Sequence, residues 1–310
     1  MDILLNSALV VVGIAMLCFG GNWLVSGGVK IAKKLRISNL IIGMTVVAYG
    51  TSTPELAASI AAGSEHSEII LGNVIGSNIT NIGLVVGIAA IMLPLMLERN
   101  TIRKEIPIMI GVSFLLIVLS LDGNVSIYDG ILLLAIMLGY TVLTIKNISK
   151  QRNEIKEESI VENNFYLKSF GLLGIGITLL YFGSILTVDN AVILAKEFGL
   201  SEKVIGLTVI AIGTSLPELI TSVIAIRKGH TDIGVGNIVG SNLYNILLIL
   251  GLSATIGSIA VSSDVFIDYA IMIGFSLALM VGLKTKVINR KIGIALTIGF
   301  VAYMILLFFK

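Results

Sequence analysis

The stretch Gly50-Thr51-Ser52-Thr53-Pro54-Glu55 lies in the middle of a long apolar run, and a second copy, Gly213-Thr214-Ser215-Leu216-Pro217-Glu218, lies in another. A charged side chain at the centre of a membrane helix costs about 3 kcal/mol, so it is rarely found there without a function. Proline removes a backbone donor, so we expect each helix to break just before its glutamate. The freed carbonyl oxygens are ligands for hard cations. The duplicated stretch therefore predicts an ion-transport site built from two related halves.

The composition indicates a membrane protein. Of the 310 residues, 56% are hydrophobic and 13% are charged, and the mean hydropathy is +1.01. A soluble domain of this length carries about 25% charged residues. The one cysteine, Cys18, excludes an internal disulfide, and its position in an apolar run predicts a small buried side chain. The N-terminus lacks a basic region and a cleavage site, which favours a retained helix over a signal peptide.

Hydropathy predicts ten membrane-spanning helices, each about 17–25 residues long, the length needed to cross about 30 Å of hydrocarbon. The one long gap, residues 147–168, carries mixed charge and is interpreted as a linker. The sequence thus predicts an all-α polytopic membrane protein, with one five-helix repeat in 1–146 and another in 169–310. The spans lie near 3–26, 38–62, 68–94, 105–121, 127–146, 169–189, 203–226, 232–257, 265–283 and 291–309.

The distribution of basic residues predicts the orientation. With the N-terminus outside, 18 of the 21 Lys and Arg residues fall in cytoplasmic loops or the linker, and only Lys196, Lys203 and Lys310 fall outside. Short cytoplasmic loops of membrane proteins are enriched in Lys and Arg. We therefore expect a multi-pass protein of the cell membrane with both termini outside and the central linker in the cytoplasm.

The internal repeat extends beyond the two glutamate motifs. Residues 42–56 match residues 205–219 at 11 of 15 positions, and residues 71–82 match residues 235–246 at 7 of 12. The matched residues include Gly, Thr, Ser, Pro, Glu and Asn, which chance does not place together in apolar helices. Since each half has five spans, an odd number, the two halves cross the membrane in opposite directions. Inverted repeats with interrupted helices and a midplane site are a recurrent transporter design.

The polar residues around each glutamate supply oxygen ligands. Thr51 and Glu55 share a helix face, and the next helix carries Asn73, Ser77 and Asn81 at four-residue spacing. Ca2+ takes about six to eight oxygens, and two carboxylates balance its charge. Na+ ions can use overlapping oxygens, whereas the lack of His and Cys argues against Zn2+ or Cu+. The second half repeats the pattern with Thr214, Ser215, Glu218, Asn237, Ser241, Asn242 and Asn245.

Each of these residues also has a structural interpretation. Asn, Ser and Thr in membrane helices often only bind a neighbouring helix, and small residues often only allow close packing. For Asn73 and Asn237 the choice between helix bridging and function stays open. Two equivalent glutamates make a merely hydrogen-bonded carboxylic acid the weaker interpretation. We expect packing for Gly72, Gly76, Gly236 and Gly240.

The paired motifs Gly-Thr-Ser-x-Pro-Glu and Gly-Asn-x-x-Gly-Ser-Asn, each present twice, resemble the two alpha-repeats of the cation/calcium exchanger superfamily, and most closely the prokaryotic sodium/calcium exchangers. The resemblance covers essentially the whole chain. It implies that Glu55 and Glu218 are the central cation ligands, and that the first and sixth spans slide as a pair over the rest. By matching position it adds as ligands Thr51, Ser52, Ser77, Asn81, Thr214, Ser215 and Ser241, with the carbonyls of Ala48 and Ala211.

One position departs from part of this superfamily. Asn245, also counted among the site residues, stands where some relatives, including potassium-dependent exchangers, carry Asp. Its partner Asn81 is also an amide, so the site offers two formal negative charges rather than three. Potassium cotransport is therefore disfavoured. The Gly-Asn-x-x-Glu signature of the proton-coupled branch is absent, which makes proton/calcium exchange the second choice.

The sequence therefore predicts an antiporter that exchanges Ca2+ for Na+ by alternating access. A cation channel stays open as an alternative, which the inverted repeat disfavours. An enzyme is disfavoured because no nucleophile–base pair, His cluster or nucleotide motif accompanies the glutamates. A membrane scaffold would not need duplicated buried carboxylates. We expect no cofactor and no nucleic-acid partner, with Ca2+ and Na+ as substrates, the lipid bilayer as surroundings and the monomer as the functional unit.

Overall fold

The computed structural model describes residues 3–63, 66–97, 101–151, 165–199, 211–281 and 286–308, and most of them are helical. Four predicted segments lie partly outside this part of the chain. They are the seventh span (at 203–210), the linker (at 152–164), the ninth span (at 282–283) and the tenth span (at 309).

The described residues of the first half form eight α-helices, three π-helical segments and two short strands. The helices are α1 (Ile3–Leu35), α2 (Asn39–Ile42), α3 (Ala48–Thr51), α4 (Thr53–Ala62), α5 (Ser67–Thr80), α6 (Gly87–Met92), α7 (Ile106–Leu119) and α8 (Ile127–Gln151). The π-helical segments are Gly43–Val47, Asn81–Val86 and Thr101–Glu105, and the strands are β1 (Leu95–Met96) and β2 (Asn124–Val125).

The second half follows the same order in the residues that the structure describes. Its helices are α9 (Phe165–Glu197), α10 (Ala211–Thr214), α11 (Leu216–Arg227), α12 (Thr231–Tyr244), α13 (Gly251–Ile256), α14 (Val265–Ala278) and α15 (Arg290–Phe308). A π-helical segment covers Asn245–Leu250 and a 3-10 turn covers Leu279–Val281. The strands are β3 (Ile259–Ala260) and β4 (Val287–Ile288). The chain is thus an all-helical membrane protein of ten transmembrane segments in two inverted five-helix repeats.

Several segments are longer than the apolar runs that predict them. Helices α1 and α9 have 33 residues each, and α1 ends with Lys33 and Lys34 in its last turn. Hydropathy marks only the part of a helix inside the hydrocarbon, whereas the backbone stays helical into the polar region beyond it. Helical structure also enters both ends of the predicted linker 147–168, because α8 continues to Gln151 and α9 begins at Phe165. The prediction of a buried Cys18 is wrong, because its side chain is exposed on the surface of α1.

Both predicted helix breaks are present. Ser52 separates α3 from α4 with φ −84° and ψ 11°, and Ser215 separates α10 from α11 with φ −89° and ψ 6°. Pro54 and Pro217 lie in the first turns of the helices that follow, where the missing N–H has no intrahelical partner to lose. The breaks confirm that proline interrupts the second and seventh segments.

The third and eighth segments form the centre of the molecule. The apolar window of Ser67–Met92 is 78% buried and that of Thr231–Ile256 is 94% buried, against 22% for Ile3–Leu35. The outer helices α1 and α9 pack on each other through glycines, and a Cβ placed on Gly20 would lie 2.9 Å from the carbonyl oxygen of Gly176. A buried pair of helices is therefore flanked by a closely packed outer pair.

Two short antiparallel ladders join the halves. Leu95 of β1 pairs with Ile288 of β4, and Asn124 of β2 pairs with Ala260 of β3. In each ladder a strand that follows the third helix of one repeat pairs with a strand that precedes the last helix of the other. Because the repeats are inverted, the two ladders lie at opposite ends of the bundle and hold the halves together there.

The glycines of the central helix α12 allow close packing. A Cβ placed on Gly240 would lie 2.6 Å from the carbonyl oxygen of Met44, and one on Gly236 would lie 2.7 Å from that of Leu40. The packing expected for these two glycines is confirmed. In the second half the stretch that matches residues 40–44 lies outside the described residues, so the packing expected for Gly72 and Gly76 stays a prediction.

Candidate functional site

The two glutamates lie directly after the two helix breaks. Glu55 is in the first turn of α4 and Glu218 in the first turn of α11, and their side chains are 1% and 0% exposed. Each stands at a helix N-terminus, where the helix dipole stabilises negative charge. Their carboxyl groups lie close enough for the charge of one to affect the other. The fold thus brings together two carboxylates that are separated by more than 160 residues in the sequence.

Hydroxyl groups from both repeats bind the Glu218 carboxylate. Ser52 Oγ donates to Glu218 Oε1 at 2.9 Å, and Ser241 Oγ donates to the same oxygen at 3.4 Å. Ser52 lies at the break in the first repeat, so its hydrogen bond crosses from one half to the other. The other carboxylate oxygen, Oε2, accepts no hydrogen bond from the described residues.

Two asparagines brace the segments that carry the glutamates. Asn73 Nδ2 donates to the Glu55 carbonyl oxygen at 3.0 Å and to Ser59 Oγ at 2.8 Å. In the second half, Asn237 Nδ2 donates to the Glu218 carbonyl oxygen at 3.5 Å and to Ser222 Oγ at 2.9 Å. Both asparagines therefore bridge two helices.

The sequence analysis missed Ser59 and Ser222 as partners of these asparagines. Each lies four residues after its glutamate, on the same helix face, and that spacing was the available signal. Thr51 takes part in the same network, because its Oγ1 donates to Asn237 Oδ1 at 3.0 Å. The first break is thereby tied to the central helix α12 of the other repeat.

Asn81 and Asn245 begin the two π-helical segments of the central helices, and both are 1% exposed. Asn81 Nδ2 donates to Asn242 Oδ1 at 3.0 Å, and Asn245 Nδ2 donates to Asn78 Oδ1 at 3.0 Å. Wide π-helical turns inside α-helices occur frequently at functional sites. In both amides the nitrogen is bound and the oxygen is left available.

Several buried side-chain oxygens have no hydrogen-bond partner among the described residues. Buried polar atoms are nearly always hydrogen-bonded, so a group of unpaired acceptors needs an explanation. Some of them, on Ser169, Thr221 and Ser253, lie on side chains that were not predicted as ligands. Five lie on predicted cation ligands: Glu55 Oε2, Glu218 Oε2, Asn81 Oδ1, Asn245 Oδ1 and Ser215 Oγ.

The other predicted ligands lie on the same elements. Ser77 is buried on α5, Thr214 is half-buried on α10, and α10 begins at Ala211. The Ala48 carbonyl oxygen accepts hydrogen bonds from the Ser52 N–H at 3.0 Å and from Thr51 Oγ1 at 3.3 Å, so this oxygen is already hydrogen-bonded within the protein. The roles of these residues as ligands remain predictions.

The chemistry of the site is that of oxygen ligands. Among the described residues no group of three or more His, Cys, Asp or Glu side chains could hold a metal ion. A cation here would depend on two carboxylates together with amide and hydroxyl oxygens, a set that suits hard cations. A separate cavity of about 290 Å³ lies beside α5 and is lined by Gly72, Gly76 and the acidic residues Glu68, Asp264 and Asp268.

The family model described as "Sodium/calcium exchanger protein" matches this chain twice, over residues 5–146 and 168–309. The chain belongs to the sodium/calcium exchanger family. Curated relatives of this chain include "Sodium/calcium exchanger MaX1" of Methanosarcina acetivorans, which is 31% identical over 99% of both chains. "Inner membrane protein YrbG" of Escherichia coli is 36% identical over 98% of this chain and 97% of the relative.

Solved structures show the same fold. The sodium-calcium exchanger NCX_Mj, soaked with zero Na+ and Ca2+, matches with a TM-score of 0.84 at 32% identity and covers 98% of this chain. The same exchanger soaked with 2.5 mM Na+ and 1 mM Sr2+ matches with a TM-score of 0.86 at 34% identity. The match confirms the ten-helix inverted-repeat architecture, and the protein is a membrane transporter of the antiporter type.

Proposed function

We propose that this protein exchanges Ca2+ for Na+ across the cell membrane by alternating access, with the cations bound between Glu55 and Glu218. The relatives and the solved structure that are named as sodium/calcium exchangers support this choice of ions. The further ligands are the hydroxyl, amide and backbone oxygens of Thr51, Ser52, Ser77, Asn81, Thr214, Ser215, Ser241, Asn245, Ala48 and Ala211.

The observation that carries the proposal is the group of buried, unpaired oxygens around the two carboxylates. Two adjacent carboxylates repel each other in a low-dielectric interior, and a cation between them removes that cost. One Ca2+ balances both charges, and its flexible coordination accepts mixed carboxylate, amide and hydroxyl ligands. Na+ is of similar size with half the charge, so several Na+ ions can neutralise the same oxygens.

Coupling follows from this charge balance. An empty site leaves two buried negative charges, which is costly within the membrane, so the unloaded protein changes its conformation slowly. The loaded protein carries no such cost with either ion. Each crossing therefore needs a bound cation, and the two fluxes are coupled as exchange.

The inverted repeat supports alternating access, because two related halves can exchange conformations and open a shared site to either side in turn. A cavity lined by Glu68, Gly72, Gly76, Asp264 and Asp268 lies at the end of the bundle where α5 begins. We infer that ions enter from this end, because its acidic lining attracts cations.

The distribution of Lys and Arg supports an orientation in which this end faces outside, with both termini outside and the linker in the cytoplasm. Cysteines introduced singly at the N-terminus and in the linker, in a Cys18→Ser background, would test it with an impermeant thiol reagent on whole cells. We expect labelling only at the N-terminus, and labelling only in the linker would contradict the orientation.

The decisive experiment is Ca2+ uptake into vesicles that contain the purified protein and are loaded with Na+, K+ or acidic buffer. We expect uptake only with an outward Na+ gradient. Uptake driven by a proton gradient would assign the protein to proton/calcium exchange on the same fold. Uptake without either gradient would indicate a channel.

A further inference from the structure

Each amide predicted to bind the cation is itself held by a second asparagine from the other repeat. Asn81 at the start of one π-helical segment is held by Asn242, and Asn245 at the start of the other is held by Asn78. All four side chains are 1% exposed, and both hydrogen bonds measure 3.0 Å. Neither Asn78 nor Asn242 leaves an oxygen unpaired in the site.

A liganding amide has a problem of orientation that a carboxylate lacks. The oxygen and the nitrogen of an asparagine side chain have nearly the same size, and a half-turn about the last bond exchanges them. An oxygen that faces a cation binds it, whereas an NH2 group in that position repels it. Packing alone does not distinguish the two orientations, so the nitrogen must be bound on the other side.

The second asparagine of each pair is oriented in turn by a methionine sulfur. Asn242 Nδ2 lies 3.5 Å from Met109 Sδ, and Asn78 Nδ2 lies 3.7 Å from Met272 Sδ. Asn78 Nδ2 also donates to the Asn242 backbone carbonyl oxygen at 3.4 Å, which selects the same orientation. A thioether accepts weak hydrogen bonds and cannot donate one. The sulfur therefore selects the nitrogen of the asparagine, which leaves the asparagine oxygen to accept from the liganding amide.

We propose that Asn242 and Asn78 are positioning residues that hold the Asn81 and Asn245 oxygens toward the transported cation. The direction of hydrogen bonding is the same in both halves: the liganding amide donates to the second asparagine, which donates to a methionine. Both chains of hydrogen bonds end at an unpaired amide oxygen, Oδ1 of Asn81 or Asn245. The inference rests on the proposed function, because it presupposes that these two oxygens bind the ion.

The test is a double-mutant cycle on the Ca2+ concentration that gives half-maximal Na+-driven uptake. We expect Asn242→Ala to raise this concentration about 10- to 100-fold, the usual cost of losing an outer-shell partner, with the maximal rate retained. Asn81→Ala should raise it as well. Because Asn242 acts through Asn81, the half-maximal Ca2+ concentration of the double variant should lie within about twofold of that of Asn81→Ala alone.

The matched control is Ser113→Ala. Ser113 is buried one turn from Met109 and donates to the Met109 carbonyl oxygen at 2.9 Å, so it tests the loss of a buried polar group outside the proposed chain. We expect an unchanged half-maximal concentration. If Ser113→Ala raises that concentration as much as Asn242→Ala does, general disturbance of packing explains both and the proposal is overturned.

The second pair keeps the proposal testable if Asn242→Ala does not fold. In the native background, Asn78→Ala should raise the half-maximal Ca2+ concentration, because it frees the orientation of the Asn245 amide. In an Asn245→Asp background it should change that concentration by no more than about twofold, because both ends of a carboxylate are oxygens and need no orientation. A full effect of Asn78→Ala in both backgrounds would overturn the proposal. Failure of wild-type Na+-driven uptake would instead refute the proposed function itself.

Discussion

At the scale of single residues, the site is a problem of charge in a low-dielectric environment. Glu55 and Glu218 are buried close to each other, and each keeps one carboxylate oxygen without a donor among the described residues. The protein supplies Ser52 and Ser241 as donors to Glu218 Oε1, which only partly compensates the charge. A buried carboxylate that lacks donors depends on a cation for the remainder.

We predict that Glu55→Gln and Glu218→Gln each reduce Na+-driven Ca2+ uptake by at least about 100-fold, more than the loss of an outer-shell partner costs. Glutamine keeps the shape and removes the charge, so insertion and thermal stability in detergent should be retained. Uptake into vesicles is the measurement, and Glu197→Gln at the exposed end of α9 is the control. Exchange retained in both single variants would refute the ligand assignment.

At the scale of elements, the glycines of the central helices determine how closely the interrupted helices approach. The segment from Asn39 to Thr51 packs its backbone on Gly236 and Gly240, where any side chain would meet backbone atoms. Gly236 and Gly240 therefore set how closely the second segment approaches α12.

Gly240→Ala and Gly139→Ala test this close packing. A Cβ on Gly240 would lie 2.6 Å from the Met44 carbonyl oxygen and 2.7 Å from its Cα, so Gly240→Ala should destabilise this conformation by about 1–3 kcal/mol. Gly139 is exposed on α8, where a Cβ meets no atom of the described residues within 4 Å, so Gly139→Ala should stabilise by about 0.5–1 kcal/mol, because alanine favours helix over glycine. The thermal midpoint in detergent should therefore fall for the first variant and stay equal or rise for the second. An equal decrease in both would contradict the close packing at Gly240.

At the scale of the whole molecule, function depends on which forms of the protein can change conformation. The outer helices α1 and α9 contact each other through small residues along their length, and a Cβ on Gly13 would lie 2.9 Å from the Gly183 carbonyl oxygen. Such close packing suits a pair that moves as one unit, as the superfamily resemblance implies. We expect the movement of this pair past the site to be slow when no cation compensates the two carboxylates of the site.

Exchange should be obligatory, because the protein without a bound cation changes conformation slowly. From vesicles loaded with radioactive Ca2+, efflux into choline buffer without Na+ or Ca2+ should be at least about tenfold slower than efflux into Na+ or Ca2+ buffer, because the return step would carry buried unpaired charge. Vesicles without protein serve as the control for leak. Equal efflux into all three buffers would show that the protein without a bound cation changes conformation freely or that the protein is a channel.

The sequence by itself determined the architecture and most of the candidate site. Its apolar runs specify helices of membrane length, its duplicated Gly, Pro and Glu residues specify two breaks, and an odd number of spans per half specifies the inversion. These properties are local or depend on counting, so they need no knowledge of contacts between helices. Residues such as Glu55 and Glu218 are also conspicuous by themselves, because charge is expensive within a membrane.

Only the tertiary structure decided which groups meet across the two repeats. Ser52 and Asn242 became partners of Glu218 and Asn81 because the helices cross at particular depths, and neither hydropathy nor spacing along one helix encodes such a crossing. The close approach of the second segment to Gly236 and Gly240 is likewise invisible in the sequence, because it depends on which neighbouring helix covers that face.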